Sequence, residues 1–232
     1  MKKIIAMIPA RMGSKRIPKK NIRIMVDKPL IQYPIDLLAN SEGIEEIYIN
    51  SESEILGEFA ATNGIYFHKR PQELSTDTAT NVDFTTEFLE KHDCDYVLMV
   101  NPTSPLLRQE TLNGFCQYVL NNEFDTVLSV ADEKAESFFK GEPVNFSLSE
   151  KVNSQYLEPV RKVVWALTAW KKDNFLKARY EGKCPVYAGK IGLYTIPADE
   201  SCDLDTEEDW TIAEGILLGR RANSEKKYWK NY

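Results

Sequence analysis

The stretch that most constrains the fold is an apolar run near the N-terminus, residues 4–8, in which every residue is hydrophobic. A run this short, without alternation between apolar and polar residues, is typical of a strand that is buried on both faces, as in parallel sheets. Pro9 ends the run, because proline has no N–H group to donate to a neighbouring strand. The sequence therefore opens with a strand whose sheet needs helices on both faces.

The residues that follow this strand are strongly basic. Glycine, serine and proline interrupt the cations, and Gly13 allows a positive φ that leaves backbone N–H groups free for phosphate oxygens. Ligands of open α/β sheets bind beyond the carboxyl ends of strands, so this loop, residues 11–21, is predicted to bind a polyphosphate. The alternative is a solvated basic turn, since the chain contains neither G-x-x-x-x-G-K-[ST] nor G-x-G-x-x-G. The cations of this basic loop are Arg11, Lys15, Arg16, Lys19 and Lys20.

Composition restricts the ligand and the compartment. The 232-residue chain has a formal net charge of −6, which argues against a nucleic-acid partner and makes the basic loop a local feature. No apolar run is long enough to span a membrane, and the N-terminal run is too short for a signal peptide, so we expect a cytoplasmic protein with no membrane partner. The four cysteines contain no C-x-x-C pair, which indicates neither a zinc site nor a disulfide framework.

Strand and helix patterns alternate along the first half of the chain. The order β-α-β-α-β predicts a three-layer, Rossmann-like α/β fold with a mostly parallel sheet and right-handed crossovers. Ser51 is a predicted N-cap, and Gly64 a predicted C-cap, of the second helix. The predicted strands are 4–8, 46–50, 65–68, 96–100 and 126–130, and the predicted helices are 29–40, 52–63, 81–91 and 109–121.

The alternation stops after residue 130. The following residues are polar, with aromatic residues scattered without period, and we interpret about 131–165 as an arm inserted into a single domain that covers 1–232. Exposed aromatic residues on such an arm favour an interface with a second copy of the chain, a homodimer. The remaining predictions are strands at 163–170, 186–188 and 191–196, helices at 172–180 and 206–219, and an unassigned tail at 223–232.

Two further loops follow predicted strands at the same edge of the sheet as the basic loop. The first, residues 69–80, contains Arg70 and several hydroxyl groups, including that of Thr80, which either bind a base or ribose or serve as caps and turns. The second, residues 101–105, contains two prolines, which either form a wall of a ligand site or only end the strand. Both loops are expected to face the ligand of the basic loop.

Asp203 and Asp205 lie two residues apart near the C-terminus. On an extended segment this spacing places both carboxylates on one side, where they can share a divalent cation. Mg²⁺ binds one or two carboxylates together with substrate phosphates, which suits a site that also holds a polyphosphate. The alternative is that Asp205 or Thr206 caps the helix that begins at residue 207, and both roles are compatible.

Taken together, these segments resemble the acylneuraminate cytidylyltransferase family, the CMP-sialic acid synthetases and their relatives. The family pattern I-P-A-R-x-G-S-K-x-[IL]-P-x-K-N is present at residues 8–21, and R-P-x-E-L-x-x-D-x-[AT] at 70–79. The pattern [LQ]-x-P-T-S-P-L-R corresponds to 101–108 with one extra leucine, and D-[IL]-D-T-x-x-D to 203–209. Four motifs in the family's order are a strong signal.

The resemblance implies a nucleotidyltransferase that uses CTP and Mg²⁺ and has a dimerisation arm. By motif position it assigns catalysis to Arg11, Lys15 and Asp205, and the metal to Asp203 and Asp205. The implied nucleotide-binding residues are Arg11, Gly13, Ser14, Lys15, Lys20, Asn21, Arg70 and Thr80. The implied residues for a sugar-acid acceptor are Asn101, Thr103, Ser104, Gln155, Arg161 and Trp165.

Two departures from the family pattern concern the acceptor. Members for sialic acid usually have glutamine where this chain has Asn101, and the family's N-G-A-I-Y segment is replaced by V-V-W-A-L around Trp165. An indole at this position is expected to reshape the acceptor pocket. Gln155 and Arg161 lie in the arm segment that resembles the family's approach to the sugar, and an interface role for them stays open. The alternatives are a nucleotidyltransferase for a Kdo-like acid or phosphonate, and a CTP-binding regulator without turnover.

Overall fold

A computed structural model describes residues 2–222, and the tail at 223–232 lies outside the described residues. The strands are β1 (Ile4–Pro9), β2 (Ile24–Met25), β3 (Lys28–Pro29), β4 (Glu46–Ser51), β5 (Tyr66–Lys69), β6 (Tyr96–Val100), β7 (Thr126–Glu133), β8 (Phe138–Phe139), β9 (Glu142–Pro143), β10 (Val160–Lys171) and β11 (Ile191–Thr195). The helices are α1 (Gln32–Ala39), α2 (Glu54–Thr62), α3 (Asn81–Lys91), α4 (Gln109–Asn121), α5 (Lys172–Tyr180) and α6 (Glu207–Arg221).

Seven strands form one central sheet in the order β11-β7-β10-β6-β1-β4-β5. β10 runs antiparallel to both of its neighbours, β6 and β7, and the other neighbouring pairs of this sheet are parallel. The chain passes from β7 through residues 134–159 into β10 at its side, and an antiparallel return of this kind needs no crossover helix. The predicted class, an α/β fold with a mostly parallel sheet, is confirmed.

Strand β1 lies inside the sheet, between β6 and β4, and is buried on both faces. Ile4, Ala6 and Ile8 pack into a cluster with residues of α1, α2 and α4. Ile5 and Met7 point to the other face and pack with residues of α3 and α5. Each fully buried isoleucine contributes on the order of 2 kcal/mol through its transfer from water. The unbroken apolar run at the N-terminus thus corresponds to the central layer of a three-layer structure.

Two predictions about local structure are wrong. Ser51 is the last residue of β4, and α2 begins at Glu54 with Ser53 at its N-cap, while the Ser51 hydroxyl oxygen accepts the backbone N–H of Ser53 at 3.1 Å. The predicted strand at 186–188 is a 3₁₀ turn, Pro185–Tyr187, because proline at its start favours a turn and cannot donate to a ladder. Gly64 does follow α2 with a φ of 66°, as the prediction of a C-cap requires.

The predicted arm overlaps the sheet at both ends. Residues 131–133 belong to β7 and 160–165 to β10, so the connection outside the sheet comprises 134–159. It contains the hairpin of β8 and β9, whose two turn residues, Lys140 and Gly141, both have positive φ, as in a type I′ turn. Phe138 and Phe139 are 60% and 66% exposed on this hairpin. Between residues 2 and 222, no helix combines the length and the apolar character needed to cross a membrane.

Candidate active site

A cleft lies beyond the carboxyl ends of β1, β4, β5 and β6, at the edge of the sheet that the sequence predicts. It has two adjoining parts: a first cavity of about 360 Å³ and a second cavity of about 390 Å³. Pro9, Arg11, Arg16, Asn101 and Thr103 line both parts. The first cavity adds Ser14, Lys15, Lys20, Asn21 and Asp77, and the second adds Arg70, Asn81, Phe84, Asp203 and Asp205 among its lining residues.

The basic loop is held in place by apolar packing beneath it. Ile17 is fully buried in a cluster with Leu204 and Trp210. The basic loop therefore rests on α6 and on residues 203–205, which we call the acidic segment. The buried side chain of Asn21 donates to the backbone carbonyl of Arg11 at 2.9 Å and closes the loop on itself. The loop therefore presents its cations from a fixed base.

Gly13 does not play the conformational role that the sequence predicts. Its φ is not positive, whereas Lys19 adopts the left-handed conformation with a φ of 53°. A Cβ atom at Gly13 would meet no atom within 4 Å. Gly13 is therefore not required by backbone strain or crowding in this structure, and its contact with a nucleotide stays a prediction from the motif.

Two cations of the first cavity, Arg11 and Lys15, are paired with one acid. Asp77 accepts from Arg11 at 2.9 Å and forms an ion pair with Lys15 as well. Hydrogen bonds from Lys15 and Arg11 lower the pKa of Asp77 below its ordinary value. Asp77 was not predicted as a site residue, although it is the aspartate of the R-P-x-E-L-x-x-D pattern at 70–79.

Lys20 lies between the basic loop and the acidic segment. Its Nζ donates to the backbone carbonyl of Leu204 at 2.7 Å, which joins two parts of the chain 184 residues apart. Burial lowers the pKa of Lys20, and the negative charges of Asp203 and Asp205 counteract that effect. Lys20 thus combines a structural contact with a position on the wall of the first cavity.

Arg70 is the most rigidly held cation of the cleft. It is only 3% exposed, and its Nε and Nη2 atoms donate to the side-chain and backbone oxygens of Asn50, each at 2.8 Å. Its guanidinium lies 4.2 Å from the ring centre of Phe84, a cation–π contact. Burial lowers the pKa of Arg70 to about 10, which leaves it protonated at neutral pH. Asn50, at the end of β4, was not predicted as a site residue.

The hydroxyl group of Thr80 is used within the protein. Thr80 is the N-cap of α3, accepts from the backbone N–H of Asp83, and donates its own O–H to the Asp83 carboxylate at 2.7 Å. Of the two interpretations of the hydroxyl-rich loop, the structure gives Thr80 the capping role. Asn81, the next residue, lines the second cavity. A contact between Thr80 and a nucleotide stays a prediction.

Asp203 and Asp205 both line the second cavity, as their spacing predicts. Leu204 between them is buried, and its backbone N–H donates to the carbonyl of Thr103 at 2.9 Å. This bond fixes the acidic segment against the loop at 101–105. Thr206 caps α6 with Asp209 in a capping box, so the predicted capping role falls to Thr206. Asp205 also pairs with Arg16 at 2.7 Å.

The carboxylate oxygens of Asp203 and Asp205 suit Mg²⁺ if phosphate oxygens of a substrate supply further ligands. Within residues 2–222 no group of three or more His, Cys, Asp or Glu side chains is arranged to hold a metal ion. Two carboxylates that face a cleft lined with cations match the Mg²⁺ preference for few protein ligands plus substrate phosphates. Asp203 and Asp205 would hold the ion, which remains a prediction.

The predicted acceptor residues lie partly in the cleft. Asn101 and Thr103 line both cavities, and the side-chain amide of Asn101 donates to the backbone carbonyl of Trp165. Ser104 is buried and donates its N–H to the Asn101 carbonyl at 3.2 Å. The indole of Trp165 lines neither cavity and lies 6.3 Å from the ring of Tyr187. The backbone carbonyl of Trp165 thus contacts a cleft residue, and an effect of its indole on the acceptor stays a prediction.

Gln155 and Arg161 line neither cavity of the cleft. The backbone carbonyl of Gln155 accepts from Lys134 at 3.1 Å within the arm, and Arg161 pairs with Asp132 at 3.4 Å where β10 meets β7. The fold of one chain does not bring these two residues to the other site residues. Their role in binding an acceptor stays a prediction.

Comparison with known proteins identifies the family of this chain. The model of a family described as cytidylyltransferase matches residues 5–214. An N-acylneuraminate cytidylyltransferase of Streptococcus agalactiae serotype III is 29% identical over 97% of this chain and 56% of that protein. A CMP-N,N'-diacetyllegionaminic acid synthase of Legionella pneumophila is 36% identical over 47% of this chain and 50% of that protein. The chain spans about half the length of the curated relatives it matches.

Solved structures share the fold. A CMP:2-keto-3-deoxy-manno-octonic acid synthetase complexed with CTP superposes with a TM-score of 0.70, at 16% identity, over 94% of this chain and 99% of that chain. A 4-diphosphocytidyl-2C-methyl-D-erythritol synthase superposes with a TM-score of 0.64, at 12% identity, over 94% of this chain and all of that one. At these identities the likeness establishes the fold of the chain.

Proposed function

We propose, from the premise that this chain belongs to the cytidylyltransferase family, that it transfers the cytidylyl group of CTP to a sialic-acid-like nonulosonic acid. The products would be a CMP-sugar and pyrophosphate. The observation that carries the proposal is the composition of one cleft: a buried arginine, a basic loop and two carboxylates line its two adjoining cavities. This combination suits a nucleoside triphosphate bound with a divalent cation.

The two cavities suggest how CTP lies in the cleft. Arg11, Ser14, Lys15 and Lys20 surround the first cavity, where their positive charges favour the triphosphate. Arg70 and Asn81 line the second cavity, where fixed hydrogen-bond donors suit the polar groups of a base or ribose. Binding in these positions would place the α-phosphorus near the residues that line both cavities.

The reaction joins a hydroxyl oxygen of the acceptor to the α-phosphorus of CTP. The bond between that phosphorus and the oxygen bridging to the β-phosphorus breaks, and pyrophosphate leaves with the electron pair. Asp205 would take the hydroxyl proton, while Arg11 and Lys15 would neutralise the charge that develops on the leaving group. Mg²⁺, held by Asp203 and Asp205, would supply further charge neutralisation when bound. Catalysis is then chiefly a matter of positioning and electrostatics.

Asn101 supports an acceptor contact at the point where the two cavities meet. Its side-chain N–H donates to the Trp165 carbonyl, and this bond orients the amide. The amide oxygen is thereby left to accept from a hydroxyl or amide N–H of the acceptor. Asparagine is one methylene shorter than the glutamine of sialic-acid enzymes, so acids other than N-acetylneuraminate, including Kdo-like acids, belong in the substrate test.

The proposed active form is a homodimer in the cytoplasm. The arm, residues 134–159, supports the dimer. Phe138, Phe139, Leu148 and Tyr156 are all more than half exposed on residues 134–159, and exposed apolar residues grouped in this way favour an interface. Sedimentation velocity would test this part of the proposal. A monomer at micromolar concentration would contradict it without touching the proposed chemistry.

The activity is tested by pyrophosphate release from CTP and Mg²⁺ with a panel of acceptors that includes N-acetylneuraminate, legionaminic, pseudaminic and Kdo-like acids and a phosphonate. Release with one of the nonulosonic acids is the expected result, and ATP, GTP and UTP serve as nucleotide controls. Tight CTP binding without release for any acceptor would overturn the enzyme and favour a CTP-binding regulator.

A further inference from the structure

Arg16 occupies a distinctive place in the cleft. It lines both cavities, and its guanidinium lies 2.7 Å from a carboxylate oxygen of Asp205, the predicted metal ligand. Position 16 is unspecified in the pattern I-P-A-R-x-G-S-K-x-[IL]-P-x-K-N, so the motif assigns it no role. The structure thus places a cation on the carboxylate that the divalent ion is expected to use.

The Arg16–Asp205 pair is accessible to solvent. The two side chains are 67% and 46% exposed, and within residues 2–222 Asp205 is the acid with which Arg16 forms an ion pair. Arg23 differs, because it contacts both oxygens of Glu207 at 2.7 Å and lies over the ring of Trp210. An exposed pair with a single contact is weakly held, so Arg16 is able to leave Asp205.

Arg16 has a second set of neighbours on the side of the first cavity. It shares that wall with Ser14, Lys15 and Lys20, the residues proposed to surround the triphosphate. A guanidinium that turns from the carboxylate towards this cavity would meet phosphate oxygens. Guanidinium groups bind phosphate, like carboxylate, through two parallel N–H···O bonds in one plane. Lys20 is less suited to this exchange, since it is partly buried and bonded to the Leu204 carbonyl.

We infer that Arg16 is a positioning residue that exchanges partners, neutralising Asp205 before the substrates bind and moving to the triphosphate when a divalent cation takes its place. The inference rests on the proposed function for the identity of the two ligands. A monovalent guanidinium and a divalent ion compete for the same carboxylate, so each weakens binding of the other at Asp205. Arg16 would then weaken metal binding when no nucleotide is present. It would stabilise the complex in which both the metal and CTP are bound.

The test uses Mn²⁺ as the probe, followed by its electron paramagnetic resonance signal in the absence of nucleotide. Arg16→Ala is expected to tighten Mn²⁺ binding in the absence of nucleotide about three- to tenfold, and to weaken CTP binding at saturating Mn²⁺ by a similar factor. Arg221→Ala is the matched control, because Arg221 forms a similarly exposed ion pair with Asp27 outside the cleft. Circular dichroism confirms that each variant folds.

The double variant isolates the pair. In an Asp205→Asn background, Arg16→Ala is expected to leave Mn²⁺ affinity unchanged, because the carboxylate for which the two cations compete has been removed. Equal Mn²⁺ affinities of the wild type and Arg16→Ala, including no detectable binding to either, would overturn the exchange. If Arg16→Ala binds Mn²⁺ more tightly than the wild type but no acceptor gives pyrophosphate release, the proposed function is rejected and the competition at Asp205 stands.

Discussion

The two cavities of the cleft hold their cations in different ways. Arg70 in the second cavity is buried, bonded twice to Asn50 and stacked on Phe84, so its direction is fixed before any ligand arrives. In the first cavity Lys15 is 80% exposed and is paired with the acid Asp77. A ligand of the second cavity would therefore meet a cation of fixed direction, whereas a ligand of the first would have to displace existing ion pairs.

Asp205 carries two proposed roles, metal binding and proton transfer, so a change there is expected to have the largest effect. Asp205→Asn keeps the shape but removes the charge proposed to hold the metal and accept the proton, so turnover should fall at least about a hundredfold. Asp205 is nearly half exposed, so the unfolding midpoint should hardly change. Steady-state pyrophosphate release and thermal unfolding measure the two quantities. Near-full activity would contradict the metal assignment.

Asn50→Ala tests the fixed geometry of the second cavity. The substitution leaves the Nε of buried Arg70 without its acceptor, which should cost about 1–3 kcal/mol of unfolding free energy and weaken CTP binding about tenfold. Urea unfolding and calorimetric titration measure the two effects together. A CTP affinity equal to that of the wild type would show that the direction of Arg70 is not set by Asn50.

Lys15→Ala tests the charge-based design of the first cavity. Because the side chain is largely exposed, its removal should spare stability and weaken CTP binding by about tenfold or less, with less effect as salt concentration rises. A titration with CTP at low and high salt is the measurement. An unchanged affinity at low salt would count against the basic loop as the triphosphate site.

Asp77→Asn is expected to have the smallest effect, with the opposite sign. The Asp77 carboxylate pairs with Arg11 and Lys15, so a triphosphate must displace it, and the neutral amide should tighten CTP binding about two- to fivefold. The same titration detects this gain. Weaker binding in the variant would mean that Asp77 orders the two cations for the ligand and does not compete with it.

Local patterns of the sequence predicted most elements well. The helices at 81–91, 109–121 and 172–180 and the strand at 96–100 agree with α3, α4, α5 and β6 to the residue. Capping chemistry and apolar periodicity act over a few residues, so the sequence displays them directly. At 186–188 the predicted strand is a 3₁₀ turn that begins with proline. At β10 the predicted strand 163–170 was too short, because pairing with β6 and β7 extends it to Val160–Lys171.

The candidate site shows the same division. The four motifs indicated the edge of the sheet, and the basic loop and the acidic segment do line one cleft there. Asp77, Asn50 and the ionic partner of Arg16 were missed, because each acts through a contact with a residue that is distant in sequence or in a different loop. No local pattern encodes which acid neutralises which base.

The sequence by itself determined the layered α/β class, the edge at which the site lies and the family to which the chain belongs. These follow from apolar runs and motifs, whose physical cause is local. Only the tertiary structure decided that Arg70 is held by Asn50, that Arg16 pairs with Asp205, and that the Trp165 indole lies near the ring of Tyr187. Those outcomes depend on how separate segments pack, since burial and pairing arise only when the chain has folded.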